Sequence, residues 1–144
     1  MPNTILSFDL EPSDQTISLG FELWLDDQQL VDLECVNKTL NFSHEFEDTD
    51  GEHILRFIMK NKKPEHTLIS DSGEILKDAL LKIHNLSFDE INLGQIFIDQ
   101  AVYTHDFNGT QVEIQDKFYN SMGCNGTVIL KFSTPIYLWL LEHM

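Results

Sequence analysis

Positive charge is scarce in this chain. Arg56 is the single arginine, and nine lysine and arginine residues stand against 24 aspartate and glutamate residues, leaving a formal net charge of −15. Proteins bind nucleic acid largely by neutralising its phosphates with cationic side chains, so this composition makes nucleic acid a poor partner. An anionic membrane is a poor partner for the same reason. The carboxylates favour a basic protein or a cation such as calcium instead.

Cysteine and long apolar runs are scarce as well. Cys35 and Cys124 are the two cysteines, far apart and in no C-x-x-C arrangement, which argues against a zinc knuckle or a disulfide scaffold. We expect both to be buried small hydrophobic residues. No run approaches the roughly 18 apolar residues that span a bilayer. Residues 1–15 lack the pattern of a signal peptide, so we expect no export by that route.

Catalytic motifs are missing from the sequence. It contains no G-x-S-x-G, no H-E-x-x-H, no phosphate-binding glycine loop and no dinucleotide fingerprint. His105 and Asp106 are adjacent, but neighbouring strand residues point to opposite faces. Cys124 has no supporting motif as a nucleophile. We therefore predict that the protein is not an enzyme and needs no cofactor, with calcium the one ion that its carboxylates could bind.

What the sequence does contain is alternation of apolar and polar residues. Segments 4–10, 20–26, 39–46, 53–60 and 126–132 have the two-residue period of half-buried strands. Polar turn residues, including two Asn-Gly pairs, separate them. This pattern predicts an all-β chain with one domain over 1–144, an antiparallel β-sandwich of jelly-roll type with one or two short helices. We expect the strand at 20–26 and the next three to form a meander of hairpins.

Two segments have mixed patterns. Residues 73–84 fit either an amphipathic helix or a strand, and we favour a strand from 79 to 86. Residues 114–122 could supply one short helix. The second Asn-Gly pair, at 125–126, precedes a strand pattern and predicts a tight turn followed by a strand. The alternation predicts a core of Phe8, Leu23, Leu25, Phe42, Leu55, Phe57, Ile83, Leu130 and Phe132.

Acidic residues cluster at 46–52. Asp48, Asp50 and Glu52 surround Gly51 in a way that resembles the start of a calcium loop. Calcium takes six to eight oxygen ligands, and this segment lacks the later ligands of the helical calcium loop. A solvated turn is the simpler interpretation, and a calcium site is the alternative.

The last ten residues, 135–144, are unusually apolar. Ser133 and Thr134 followed by Pro135 can start a short helix. The apolar residues beyond should anchor the end of the chain, either in the domain core or on another subunit. For the second case we expect the partner-binding residues to be Tyr137, Trp139, Leu140 and Leu141.

Part of the sequence resembles a carbohydrate-binding family. Residues 20–93 contain "LWLDDQQL", then "EHILRFIMKNK", then "ALLKIHNLSFDEINL". In strand order and spacing they resemble the calcium-dependent xylan-binding modules, which are small β-sandwiches. The resemblance places Asp26 and Asp27 at a first turn and Asn61 and Lys62 at a second. Lys62 stands where that family has a calcium-binding aspartate, so the chain departs from the pattern there.

A second resemblance concerns the end of the chain. The segments "VYTHDFNGTQ", "KFYNSMGCNGTV" and "FSTPIYLWLLEHM" resemble those of small proteins encoded by marine tailed bacteriophages. This resemblance implies a virion-associated or host-surface-binding role.

Two functional hypotheses follow. The first is a non-enzymatic structural or interaction protein, a phage virion accessory of the capsid, neck, tail or fibre. It would be made in the host cytoplasm, belong to an oligomer or a larger assembly, and dock on other subunits through its loops and C-terminal segment. The second is a carbohydrate-binding module, calcium-assisted, that recognises a cell-surface glycan. Its aromatic platform would come from Trp24, Tyr103, Phe107 and Tyr119.

Overall fold

The computed structural model describes residues 3–13, 19–48, 50–62, 67–69, 71–72, 75–105, 112–123 and 125–143, with the backbone alone for 67–69 and 75–78. Within these residues the strands are β1 (Asn3–Pro12), β2 (Leu19–Leu25), β3 (Gln28–Val36), β4 (Leu40–Glu47), β5 (Gly51–Lys60), β6 (Thr67–Ile69), β7 (Ile75–Asp78), β8 (Leu81–Phe88), β9 (Ile91–Asn92), β10 (Val102–His105), β11 (Ile114–Lys117), β12 (Ser121–Met122) and β13 (Gly126–Thr134). The helices are α1 (Gln95–Gln100) and α2 (Ile136–His143). The chain is therefore mostly β.

Two antiparallel sheets pack face to face. The smaller has the order β12-β8-β1-β4, with β9 paired to β8, and the larger has the order β11-β10-β13-β5-β2-β3. β6 and β7 pair separately. Connections such as β1 to β2, β4 to β5 and β12 to β13 cross from one sheet to the other. The predicted all-β antiparallel sandwich with short helices is confirmed.

The predicted meander is correct for its first hairpin only. β2 and β3 pair through a tight turn, with Leu25 opposite Gln28. β4 then pairs with β1 in the smaller sheet, and β5 returns to pair with β2 and β13. A meander in one sheet would leave the apolar face of that sheet uncovered, whereas the crossing lets Phe42 and Phe46 on β4 face the larger sheet.

Aromatic rings from both sheets meet in the core. The Phe8 ring on β1 lies 5.3 Å from the Phe57 ring on β5, and the Phe88 ring on β8 lies 5.0 Å from the Phe132 ring on β13. All the predicted core residues are buried except Phe42, which is half-buried because β4 is an edge strand. Each large apolar side chain contributes roughly 1.5–3 kcal/mol by leaving water.

Three local predictions are decided by the structure. Residues 75–78 and 81–88 are strands, so the described part of 73–84 is not a helix, and the strand predicted from 79 to 86 is β8, which begins two residues later, at Leu81. Residues 114–122 contain β11 and β12, so the predicted short helix there is wrong. Strand β11 pairs with the edge of β10, and this long-range pairing overrides the local helical pattern. The turn at Asn125 does lead directly into β13, as predicted.

The prediction that Cys35 is buried is wrong. Its side chain is exposed, because the pairing of β2 with β3 shifts register between Leu19 and Phe21. Such a bulge sets two residues of one strand against one of its partner and interrupts the in-and-out alternation. Leu33 and Val36 therefore face inward while Glu34 and Cys35 between them face outward. Cys124 lies outside the described residues.

Candidate functional site

The C-terminal helix α2 begins where β13 ends. The amides of Leu138 and Trp139 donate to the carbonyl of Pro135, so this proline occupies the first turn, where its missing N–H costs no hydrogen bond. The amide of Ile136, in the first turn of the helix, donates to the carboxylate of Asp48, with 3.1 Å between the amide nitrogen and Oδ1. Asp48 lies between β4 and β5, so a residue distant in sequence caps the helix and places negative charge at its N-terminus.

The two faces of α2 have different environments. Ile136, Trp139 and Leu140 are 0%, 5% and 3% exposed and complete the core. The Trp139 ring lies edge-on to Phe132, with ring centroids 6.2 Å apart. On the other face Tyr137, Leu138 and Leu141 are 50%, 58% and 67% exposed. We call these three residues the exposed helix face.

The predicted partner-binding set therefore divides in two. The prediction that Trp139 and Leu140 contact a partner is wrong, because the core of the chain itself covers both side chains. Tyr137 and Leu141 are exposed and accessible to a partner, and so is Leu138, which the sequence analysis missed. The helical period of 3.6 residues could have predicted this division, since it places 136, 139 and 140 on one face of the helix and 137, 138 and 141 on the other.

Tyr137 is held in place by Asp89. Its hydroxyl donates to Asp89 Oδ2 at 2.8 Å, while Asp89 Oδ1 accepts the amide of Ile5, also at 2.8 Å. This hydrogen bond raises the pKa of Tyr137 above its usual value, because ionising the phenol would break it beside a carboxylate. The ring is therefore neutral and oriented at neutral pH.

An apolar groove runs beside the exposed helix face. Its volume is about 440 Å³, and it lies between α2 and the segment from β9 to α1. Ile91, Leu93, Ile96 and Leu140 supply most of its apolar lining. The side chain of Ile91 is 41% exposed at the edge of this groove. Helix α2 thus contributes Leu140 and His143 to the groove.

On its other side, α2 borders a row of three hydrogen-bonded side chains. His53 Nδ1 lies 2.8 Å from Asp26 Oδ2, and His53 Nε2 lies 3.1 Å from Thr134 Oγ1. Because an ionised carboxylate only accepts hydrogen bonds, His53 Nδ1 carries the proton of the first contact. No sequence motif predicts this row, since positions 26, 53 and 134 are far apart in the chain.

The order Asp26, His53, Thr134 matches the order of carboxylate, base and nucleophile in the catalytic triads of hydrolases. It borders a cleft of about 530 Å³, whose lining includes His53, Glu52, Lys131 and Trp139. Thr134, however, is 5% exposed, and its hydroxyl also lies 3.4 Å from the carbonyl of Gly51. A buried hydroxyl with these partners connects β13 to β5.

Asp26 also forms hydrogen bonds with the backbone of β5. Its Oδ1 accepts the amide of Ile54 at 2.8 Å, and its own amide donates to the Ile54 carbonyl. Burial opposes ionisation, but the hydrogen bonds from His53 and Ile54 outweigh it, and the pKa of Asp26 lies below its usual value. The folded state therefore favours the ionised carboxylate.

This lowered pKa predicts an acid-dependent loss of stability. Above the ordinary aspartate pKa, about 3.9, the contribution of ionised Asp26 is complete, and it is lost as the pH falls through the lowered folded value. We expect the difference in unfolding free energy between the wild type and Asp26→Asn to shrink from pH 5 to pH 2, measured by urea denaturation. Asp27→Asn removes an exposed carboxylate of the same turn and is the matched control for the loss of one charge. A difference for Asp26→Asn that stays constant to pH 2 would contradict this assignment.

The three predicted calcium ligands have different surroundings. Asp48 uses its carboxylate on Ile136 and on the buried hydroxyl of Thr4, at 2.9 Å. Asp50 and Glu52 are exposed. Among the described residues, no group of three or more His, Cys, Asp or Glu side chains is arranged to hold a metal ion. Lys62, at the position where the xylan-binding resemblance expects an aspartate, is buried and donates to the Gly123 carbonyl. Calcium binding stays a prediction.

The predicted glycan platform is not assembled by the described residues. Trp24 is half-buried on the outer face of the larger sheet, where its indole N–H donates to Glu22. The prediction that Tyr103 is displayed is wrong, because it is 6% exposed and packs on His105 and Phe118. Tyr119 is exposed, and Phe107 lies outside the described residues, as does Asp106. Glycan binding likewise stays a prediction.

Comparison with known proteins identifies no relative of the chain. No protein-family model, no curated protein and no solved structure matches the chain. Among the described residues no helix has the length and apolar character to cross a bilayer. The fold defines the class as an all-β antiparallel sandwich, and its distinctive surface feature is a terminal helix with one face in the core and one apolar face exposed.

Proposed function

We propose that this protein is a non-enzymatic structural protein that binds another protein subunit through the exposed helix face. The observation that supports this proposal is that Tyr137, Leu138 and Leu141 stay exposed on a helix whose opposite face is fixed in the core. Exposed clusters of large apolar residues on soluble proteins mark interaction sites. An amphipathic helix laid into a groove of a partner is a common recognition mode for such a face.

Preorganisation supports the same proposal. Binding costs free energy when mobile side chains must be ordered, and a helix already anchored by Trp139 and capped by Asp48 avoids much of that cost. Tyr137 is oriented by Asp89 before any partner arrives. Tyrosine is enriched among the residues that dominate binding energy at interfaces. Tyr137 and the two leucines are therefore the expected anchors.

The setting that we propose is a phage virion, in which the chain would be an accessory of the capsid, neck, tail or fibre. Support for this setting comes from the resemblance of segments 102–111, 117–128 and 132–144 to small proteins of marine tailed bacteriophages. The most relevant of these segments contains α2, so the resemblance and the exposed helix face concern the same part of the chain. The partner would then be another virion subunit.

Site-specific photo-crosslinking in the cells that produce the protein tests the proposal. A photoreactive amino acid at position 138 should crosslink reproducibly to the same partner protein, identified by mass spectrometry. The same residue at position 112, which is 84% exposed and far from α2 in sequence, is the control and should give no such product. Adding Leu141→Ser should lower the yield at 138 by about tenfold, since a buried leucine contributes roughly 1.5–3 kcal/mol to a contact. Equal products at both positions, or none at 138, would refute docking through this face.

A further inference from the structure

The end of the sandwich that carries α2 is strongly acidic. At this end β1 and β5 begin and β4 and β13 end, as the pairs Asn3 with Glu47 and Gly51 with Thr134 show. Its carboxylates come from the 26–27 turn, the 45–52 segment, the 89–90 turn and Glu142. Among the described residues near this end, Lys131 is exposed, Arg56 donates to the carbonyl of Asp26, and Lys117 lies 3.5 Å from Asp99, which lines the groove beside α2. The negative charge here is therefore largely uncompensated.

The opposite end of the sandwich differs. Lys38, Lys60, Lys62 and Lys82 lie there, next to the ends of β3, β5 and the start of β8. The ammonium of Lys60 lies 2.6 Å from Asp32 and 3.4 Å from both Glu22 and Glu34. Lys60 thus compensates carboxylates far from α2. Among the described residues, the carboxylates around α2 have no comparable cluster of lysines beside them.

Three acidic residues adjoin the exposed helix face itself. Asp89 accepts the Tyr137 hydroxyl, Glu90 is the next residue and is exposed, and Glu142 follows Leu141 on the helix. An apolar centre with a charged rim is the common anatomy of a protein interface. Complementary charge on the partner speeds encounter and rejects partners of the wrong sign.

We infer that the partner surface is basic, with an apolar centre flanked by lysine or arginine side chains. This inference rests on the proposed function. A second copy of the chain is disfavoured as the occupant, because it would bring the same acidic rim against itself. An anionic membrane is repelled for the same reason. Attraction between exposed charges is screened beyond about 8–10 Å at physiological salt, so binding should weaken as salt is added.

Two designed amphipathic peptides serve as the test. Both have the same leucine positions and helical length, but the polar positions are lysine in one and glutamate in the other. Binding of each labelled peptide to the full chain is measured by fluorescence anisotropy at 50 and 500 mM NaCl. We expect the lysine peptide to bind at least tenfold more tightly than the glutamate peptide at low salt, and to lose most of this advantage at high salt.

Variants separate the apolar centre from the acidic rim. Leu138→Ser with Leu141→Ser should weaken the lysine peptide at least tenfold. Glu90→Gln with Glu142→Gln should weaken it about threefold to tenfold and reduce its salt dependence. Asp89 is left unchanged because it also holds Tyr137 and Ile5. Val112→Ser, an exposed apolar site elsewhere, should leave binding unchanged.

The outcomes distinguish docking through the exposed helix face from the basic character of the partner. If both peptides bind equally and both depend on Leu138 and Leu141, the helix face docks but the basic partner is wrong. The same conclusion follows if the glutamine variants bind like the wild type. If the lysine peptide binds the serine variant unchanged, the contact is unspecific attraction and the proposed function also fails. Dimers in sedimentation, or flotation with phosphatidylcholine vesicles, that disappear in the serine variant would identify a second copy or lipid and overturn the inference.

Discussion

Replacing Trp139 with alanine is expected to lower the free energy of unfolding by about 3–5 kcal/mol, the usual cost of truncating a buried large aromatic side chain. Trp139 is 5% exposed, packs on Phe132 of β13 and contacts the tilted ring of His143, with ring centroids 4.7 Å apart. Its removal would open a cavity between α2 and the sandwich. Urea denaturation checks the loss, and because Trp24 is the other of the two tryptophans, fluorescence still reports unfolding in this variant.

The matched control for Trp139→Ala lies two residues away on the same helix. Leu141→Ala has nearly the same effect on helix propensity but removes a side chain that is 67% exposed, so the expected change is within about 0.5 kcal/mol. If the two variants lost the same stability, α2 would not be anchored in the core as described. For the same reason, deleting 135–144 would damage folding and docking together, and single substitutions on the exposed helix face are the informative variants.

Replacing Asp48 with alanine is the second large change, with an expected loss of about 2–4 kcal/mol. Its carboxylate accepts the amide of Ile136 and the hydroxyl of Thr4, and Thr4 is fully buried. Losing a helix cap costs about 1 kcal/mol, and leaving a buried hydroxyl without its acceptor costs about 1–3 kcal/mol. The same urea denaturation measures this loss.

Two substitutions make the Asp48 result specific. Asp50→Ala removes an exposed carboxylate two residues away and should change the stability by less than about 0.5 kcal/mol. Asp48→Asn keeps one side-chain acceptor, so it should retain part of the stability that alanine loses. Equal losses in the Asp48 and Asp50 alanine variants would mean that negative charge in this segment matters more than the hydrogen bonds to Thr4 and Ile136.

The strand pattern and the terminal helix could be predicted because they depend on neighbours in sequence. Alternation placed Leu23, Leu55 and Phe132 in the core, since successive strand residues face opposite sides. Pro135 after Ser133 and Thr134 marked the start of α2. The helix predicted at 114–122 and the burial of Cys35 were wrong, because pairing with β10 and a bulge opposite β2 override local preference.

By itself the sequence determined the period of each strand, the tight turn between β2 and β3, the helix after Pro135 and the acidity of the molecule, because these properties are set within a few residues or by composition. Only the tertiary structure decided that β4 leaves its neighbours for the other sheet, that Asp48 caps α2, and that Asp26, His53 and Thr134 join in one row. It also decided which face of α2 stays exposed. These outcomes depend on contacts between residues that are tens of positions apart, and such contacts form only when two sheets bury their apolar faces against each other.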